Sequence, residues 1–360
     1  LVFIAILSLS EIATAQLWLE PRCKPLPLTR ATPLVQLRDG RLLTLEKKNG
    51  VVTSSDDGKT WSPPQTIYDG PAPGIPGAES GEYCALLKTR SGAIVLLYMD
   101  MSTYKWDWDV AKNRASDDTR LDVWAIRSLD EGKTWIDRQK VLDGYCGALI
   151  GMIQTSKGRI IAPMPTLLEH TRHASLTCVS DDDGKTWRQG NIIDLGGRGD
   201  HDGAIEPTVV ELSTGRILML LRTNLDRFWE AYSDDGRYWR ELRPSSIDAS
   251  SAPGYLARLA SGRLALVWNR LYPEGKNATN RRGGGTVCET QASWQREELS
   301  LAFSQDDAKT WTKPVVIARQ AGAGLSYPMI FERKPGDLWI ITRFNDRIAL
   351  SLREADFVEK

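Results

Sequence analysis

Short apolar runs separated by glycine-centred turns recur along the whole chain. The turns lie at Gly40 (RDGRLLTL), Gly92 (RSGAIVLL), Gly158 (SKGRIIAP), Gly215 (STGRILML), Gly262 (ASGRLALV) and Gly336 (KPGDLWII). An apolar run precedes each turn, as in Pro33–Leu37 or Pro207–Leu212, and another follows it. Runs of this length bounded by turn residues predict β-hairpins. Glycine supplies the backbone freedom that a tight turn needs. No convincing amphipathic helical period interrupts the series.

A second motif interleaves with these hairpins. Ser54, Asp56, Gly58, Thr60 and Trp61 form its first copy. Ser128 to Trp135 and Ser180 to Trp187 repeat it. Ser233 to Trp239 is a degraded fourth copy, and Ser304 to Trp311 a fifth with Ala308 in place of glycine. The tryptophans are spaced by 74, 52, 52 and 72 residues. Asp and Ser side chains hydrogen-bond nearby backbone N–H groups and fix a turn. The tryptophan is an apolar plate that can wedge between neighbouring sheets. A calcium loop of the EF-hand type would need a glutamate at its twelfth position and more oxygen ligands, which these turns lack. Six hairpins, five of them leading into a tryptophan-bearing turn, make a four-stranded unit repeated six times. That pattern predicts an all-β, six-bladed β-propeller of four-stranded blades, with the tryptophan turns on the rim, away from the axis. The last unit lacks its tryptophan turn, so a strand from the N-terminal region is expected to complete it. The competing architecture is a pair of β-sandwich domains.

Composition narrows the function classes. The 360 residues carry 46 basic and 46 acidic side chains, a formal net charge of zero. Such a balance argues against a nucleic-acid partner held by bulk electrostatics. Residues 1–15 combine an apolar run with Ala13-Thr14-Ala15, the pattern of a truncated signal peptide, and imply a secreted or periplasmic protein. That run is too short to span a bilayer, and no other segment has the length and apolarity of a membrane span. Residues 16–360 then form the propeller domain. The five cysteines (Cys23, Cys84, Cys146, Cys178, Cys288) are an odd set without zinc-site spacing. They read as buried small side chains, with room for one or two disulfides. Asn277-Ala278-Thr279 is a glycosylation sequon. No cofactor is implied.

The Ser-x-Asp-x-Gly-x-Thr-Trp turns resemble the Asp-boxes of the sialidase (neuraminidase) superfamily. The resemblance covers about residue 28 to the C-terminus, and it carries an expected axial site. Arg30, in Thr29-Arg30-Ala31-Thr32-Pro33, stands at the offset of the first arginine of the family's triad. Arg222 closes the strand Leu218–Arg222, 16 residues after Glu206, as the second arginine follows the family's glutamate. Arg296 lies eight residues before the Asp-box serine Ser304, the offset of the third. Tyr327, in Ser326-Tyr327-Pro328, takes the place of the nucleophilic tyrosine. Two positions depart from the pattern. The stretch 45–54 between the first arginine and the first Asp-box is short and has no aspartate to serve as acid/base. The last hairpin ends in Thr342-Arg343-Phe344 where the family carries Tyr-Glu.

The chemistry of these residues fits an acidic sugar. Guanidinium offers a planar, permanently charged fork that matches a carboxylate. A phenol with an ordinary pKa near ~10 needs a base such as Glu206 to take its proton. The acid is open, with Asp202 and Asp100 as candidates. His173, His201 and His170 lie on loops of the third and fourth units and could act as acid, base or sugar ligand. With Asp202 they could also gather a metal, although no metal is assigned. Insertions at roughly 100–120 and 270–295, with Trp106, Trp108 and Trp294 among them, should rim one face. The resemblance therefore implies an exo-acting glycoside hydrolase that cleaves a terminal carboxylated sugar from a glycan by a retaining Tyr/Glu mechanism. Two alternatives stay open: a non-catalytic glycan-binding propeller, and a propeller glycosidase or lyase using histidine on uronic-acid glycans.

Overall fold

Every glycine-turn hairpin forms the first two strands of one sheet, and six such sheets follow each other along the chain. The computed structural model describes residues 16–31, 33–46, 50–67, 84–283, 288–344 and 346–358. The signal-peptide reading of residues 1–15 lies outside these residues. The first blade contains Val35–Gln36, Leu42–Glu46, Gly50–Ser54 and Gln65–Thr66. The second contains Cys84–Lys88, Ile94–Met99, Val123–Ser128 and Ile136–Leu142, and the third Ile153–Gln154, Ile160–Leu168, Arg172–Ser180 and Arg188–Gln189. The fourth runs Ile205–Glu211, Ile217–Arg222, Arg227–Ser233 and Glu241–Asp248. Tyr255–Arg258, Leu264–Trp268, Glu298–Ser304 and Val315–Arg319 make the fifth, and Trp18–Leu19 adds to its outer edge.

The sixth blade joins Ser326–Lys334, Asp337–Phe344 and Ala349–Arg353 to Lys24–Pro25. The expected N-terminal strand thus closes the ring, pairing Lys24 with Ser351 and Pro25 with Leu350. All neighbouring strands within a blade are antiparallel. Because strands alternate in direction, the start of each first strand and the end of each second strand share one face of the ring. The tryptophan turns, between third and fourth strands, sit on the other. Among the described residues no helix is long and apolar enough to cross a membrane.

The Asp-box turns hold the blades together from the outside. In the third blade the Ser180 hydroxyl donates to Asp182 (2.8 Å) and accepts from Gly184 N–H (2.8 Å), while Asp182 also accepts from the N–H and hydroxyl of Thr186. The other intact copies repeat these bonds. In the degraded copy Gly236 reaches Ser233 one residue earlier, so the turn is shorter by one. At Gly236 and Gly132 packing calls for a glycine, whereas the fifth copy accommodates Ala308 at a φ of 65°. A Cβ on Gly236 would lie 2.1 Å from Ile161 of the preceding blade, and one on Gly132 2.5 Å from Leu43. Apolar residues between successive blades complete the core, with Trp135 and Trp239 buried within it.

All five cysteines are buried, and Cys23, Cys146 and Cys178 are free thiols. Burial pushes the Cys178 thiol up to about 12, which keeps it protonated and inert. The room left for disulfides in the sequence is therefore not used by these three.

Asp182→Ala removes the acceptor for Thr186 and Ser180 on the face opposite the axial site. Unfolding in urea should show a loss of about 1–3 kcal/mol. Ligand binding at the axial face should be unchanged, and a variant as stable as the parent would show that the turn does not hold the blades.

Candidate active site

Two blades present a reactive side chain from the first residues of their inner strands. Glu206 and Tyr327 both take a left-handed backbone, with φ of 47° and 55°. Each is followed by proline, which already disfavours the right-handed helical region for the residue before it. In the fourth blade the pairing register slips between Ile205 and Thr208, a bulge that re-aims Glu206. A non-glycine residue held in this region costs roughly 1–3 kcal/mol, and such strain concentrates at functional sites.

The two side chains meet across 121 residues of sequence. The Tyr327 hydroxyl donates to Glu206 Oε1 at 2.5 Å. Arg222 Nη1 donates to Glu206 Oε2 at 2.6 Å, and its Nε to the Ser251 hydroxyl at 3.1 Å. Arg296 donates to the Ser251 carbonyl at 2.8 Å and lies 5.9 Å from the Tyr327 ring centroid. Glu206, Arg222, Arg296 and Tyr327 are all buried. Two buried guanidinium groups therefore share one carboxylate. Arg222 Nη2 and Arg296 Nε have no hydrogen-bond partner among the described residues. Trp294 lies against three guanidiniums, with ring distances of 4.5 Å to Arg296, 5.4 Å to Arg222 and 5.5 Å to Arg282. An adjoining cleft of about 740 Å³ is lined by Arg281, Arg282, Trp294 and Arg296 among others.

The charges set the protonation states. Burial pushes Glu206 up, but the charge of Arg222, the hydrogen bonds from Tyr327 and Arg222 and the charge of Arg296 outweigh it, so Glu206 is held below the usual range and is ionised. Tyr327 is pushed up by burial and by the Glu206 charge, so the phenol keeps its proton. Arg296 is pushed down to about 10 by burial and by Arg222, and remains a cation at neutral pH. The arrangement is a neutral phenol hydrogen-bonded to an ionised base, beside a surplus of positive charge.

An aromatic wall stands beside this cluster. Trp106 lies 4.9 Å from Tyr145 and 6.5 Å from His173. His173 is 6.4 Å from His201, and His201 is 5.9 Å from Trp294. His173 is buried and pushed down to about 4 by desolvation and by His201, so its ring is neutral. Its Nε2 must then donate to the Asp200 carbonyl, 2.7 Å away. The His173 carbonyl packs against Gly203, where a Cβ would stand 2.0 Å from it.

The other sequence candidates make contacts of their own. Arg30 pairs with Glu46 and lies over Trp61 at 5.6 Å. Arg343 lies in the sixth blade. It is fully buried at the end of the sixth blade's second strand and donates to the Ile150 carbonyl at 2.8 Å, bridging to the third blade. A cation thus stands at the end of the last hairpin, where the resembled family carries Tyr-Glu. Asp100 caps a short turn by accepting from the N–H and hydroxyl of Ser102, at 2.9 and 2.6 Å. Asp202 accepts from Gly203 N–H at 2.8 Å and Arg198 N–H at 3.3 Å. Both carboxylates are engaged within their own loops. The His170 carbonyl ties its loop to Ala115 of the second-blade insertion. Among the described residues no group of three or more His, Cys, Asp and Glu could hold a metal ion. Sequence reasoning missed Tyr145, Ser251 and Asn224. The run Ser250-Ser251 before the fifth blade's inner strand was the available signal for Ser251, since other inner strands also present side chains from their starts.

Comparison with known proteins places this geometry in a family. Residues 46–340 match the family described as the BNR repeat-like domain. The chain belongs to the BNR repeat-like family. Among curated relatives it is 23% identical over 290 residues to a sialidase of Micromonospora viridifaciens, covering 76% of this chain and 41% of that protein. The chain thus spans less than half the length of that relative. A Dyadobacter fermentans protein of unknown function superposes with a TM-score of 0.59 at 16% identity, covering 92% of this chain and 98% of its own. The NanB sialidase of Streptococcus pneumoniae gives 0.57 at 14% identity, covering 96% and 71%. Trypanosoma rangeli sialidase, solved as a covalent intermediate with 2,3-difluorosialic acid, gives 0.56 at 14%, covering 91% and 54%. These structural likenesses are of fold. This BNR repeat-like chain is a six-bladed propeller of the sialidase type.

The neutral state of His173 makes stability pH-dependent. Its folded pKa, about 4, lies below the usual value of 6.5. Between those values the unfolded chain binds more protons, so stability is fully present above the window and falls as pH drops through it. Urea midpoints measured across that window should decline more steeply for the parent than for His173→Gln. Parallel curves would show that His173 titrates normally.

Proposed function

We propose that this protein is a retaining glycoside hydrolase that removes a terminal carboxylated sugar, sialic acid or a close analogue, from a glycan. One observation carries the reading: a strained, buried tyrosine donates to an ionised glutamate beside two buried arginines that have, among the described residues, that one carboxylate between them. A buried cation without a partner is costly. The anionic group of a ligand would supply the missing charge, and the open donors on Arg222 and Arg296 suit a carboxylate. Similarity to proteins named as sialidases supports the same substrate class.

In this reaction Tyr327 attacks the anomeric carbon as its proton passes to Glu206. The carbon–oxygen bond to the leaving group breaks, the departing oxygen takes a proton from a general acid, and an aryl glycoside bond to the Tyr327 oxygen holds the sugar. Water then attacks the same carbon and gives its proton to the conjugate base of that acid, while Glu206 returns its proton to the departing Tyr327 oxygen. A neutral nucleophile suits a substrate that carries its own negative charge, and tyrosine-nucleophile sialidases depart from the two-carboxylate scheme in this way. Arg222 and Arg296 hold the carboxylate, while Ser251 fixes both arginines.

A panel of chromogenic glycosides, sialic and uronic acids included, tests the reading. Tyr327→Phe keeps the ring and its packing and removes only the reacting oxygen. Turnover should fall by ~10³ or more with the melting temperature little changed. Glu206→Gln should impair the same step, the double variant should be far from additive, and Glu206→Gln alone should cost about 3–5 kcal/mol because Arg222 loses its counter-charge. Near-normal turnover by Tyr327→Phe would make the tyrosine a packing residue.

A further inference from the structure

We infer that His201, oriented by Asp200, is the general acid and base of the reaction proposed above. The inference rests on that reading and supplies the proton donor it lacks. Asp100 is held in its own loop through Oδ1, which accepts from the N–H and hydroxyl of Ser102, and both oxygens of Asp202 accept from backbone N–H groups of its loop. His173 is fully enclosed and its Nε2 is committed to the Asp200 carbonyl. His201 differs on both counts. Its side chain is 43% exposed, its Nδ1 bonds to Asp200 Oδ1, and Nε2 has no protein partner among the described residues. An Nδ1–H donated to the carboxylate leaves Nε2 as the atom that can carry or receive the working proton.

The position is held on the catalytic pair by an unbroken hydrogen-bond chain. Asn224 Nδ2 donates to the His201 carbonyl at 2.7 Å, and Asn224 Oδ1 accepts from the Ser251 hydroxyl at 2.7 Å. That hydroxyl accepts from Arg222, which in turn donates to Glu206. The imidazole meets Trp294 edge-on at 5.9 Å, on the indole that also faces Arg222 and Arg296. His201 and Tyr327 thus flank one indole–arginine cluster from different blades, as an acid and a nucleophile must flank one glycosidic bond.

The proton balance closes. As Tyr327 bonds to the anomeric carbon, His201 Nε2–H gives its proton to the leaving oxygen and the alcohol departs. Water then attacks while His201 Nε2 takes its proton, which restores the imidazolium for the next cycle. Asp200 keeps the ring in one tautomer and offsets its charge; it is a positioning residue.

Leaving-group dependence tests this directly. An acid matters for a poor leaving group such as methanol and little for 4-nitrophenolate, which departs without a proton. Paired methyl and 4-nitrophenyl α-glycosides of N-acetylneuraminic acid and of glucuronic acid are the probes. His201→Gln should lose ~10²–10⁴-fold in kcat/KM on the methyl glycoside, and less than about tenfold on the 4-nitrophenyl one. Asp200→Asn should show the same bias at smaller size, and Tyr327→Phe should lose both substrates equally. Equal losses, or none, by His201→Gln on the two leaving groups would overturn the assignment while leaving the glycosidase reading intact. A parent protein that cleaves neither series would overturn that reading, and this assignment with it.

Discussion

Among the described residues Glu206 is the one carboxylate paired with the buried Arg222 and Arg296, and much of the site's architecture answers that imbalance. A buried pair costs desolvation that its mutual attraction only partly repays. Here a second cation deepens the cost, and the surrounding groups offset it. Ser251 binds both arginines, through its hydroxyl and its carbonyl, and Trp294 offers the face of its ring to each. The charge that remains is what an anionic ligand would meet. It also fixes the chemistry, because the same arginines keep Glu206 ionised and able to accept from Tyr327.

Only a rigid frame can hold such an arrangement. The left-handed backbone at Glu206 is held by a sheet anchored on the opposite face by the turn at Ser233, and that at Tyr327 by a sheet that has no such turn and is completed by the N-terminal strand. The ring is closed at Lys24–Pro25, so the sixth blade, which carries Tyr327, depends on the N-terminal strand for its outer edge. Arg343 then spans from that blade to the carbonyl of Ile150 in the third. Strain at the site, turns on the rim and the closing strand are one mechanical system.

The fold was readable because its signals are local and repeated. Gly40, Gly92, Gly158, Gly215, Gly262 and Gly336 all adopt the positive φ that their turns predicted. Glu206, Arg222, Arg296 and Tyr327 were legible through the resemblance to the sialidase superfamily, whose offsets put them at strand starts and ends. The rest depended on side-chain pairing, which spacing does not encode. Arg30 has the right offset, yet Arg343 places a cation at the end of the last hairpin and Arg30 pairs with Glu46 instead. Asp100 and Asp202 occupy suggestive positions, but backbone N–H groups in their own loops reach them first. Tyr145, Ser251 and Asn224 join the site through contacts with residues far away in the chain, so nothing near them in sequence announces the role.

The central claim is that Tyr327 forms a covalent bond to the sugar. Fluorinated acidic sugars with a good leaving group, such as 2,3-difluorosialic acid, slow release of a glycosyl-enzyme and let it accumulate. Intact mass spectrometry of the treated protein should show one added glycosyl unit, peptide mapping should place it on Tyr327, and Tyr327→Phe should stay unmodified. An adduct on another residue, or none on a protein that hydrolyses the parent sugar, would contradict the account.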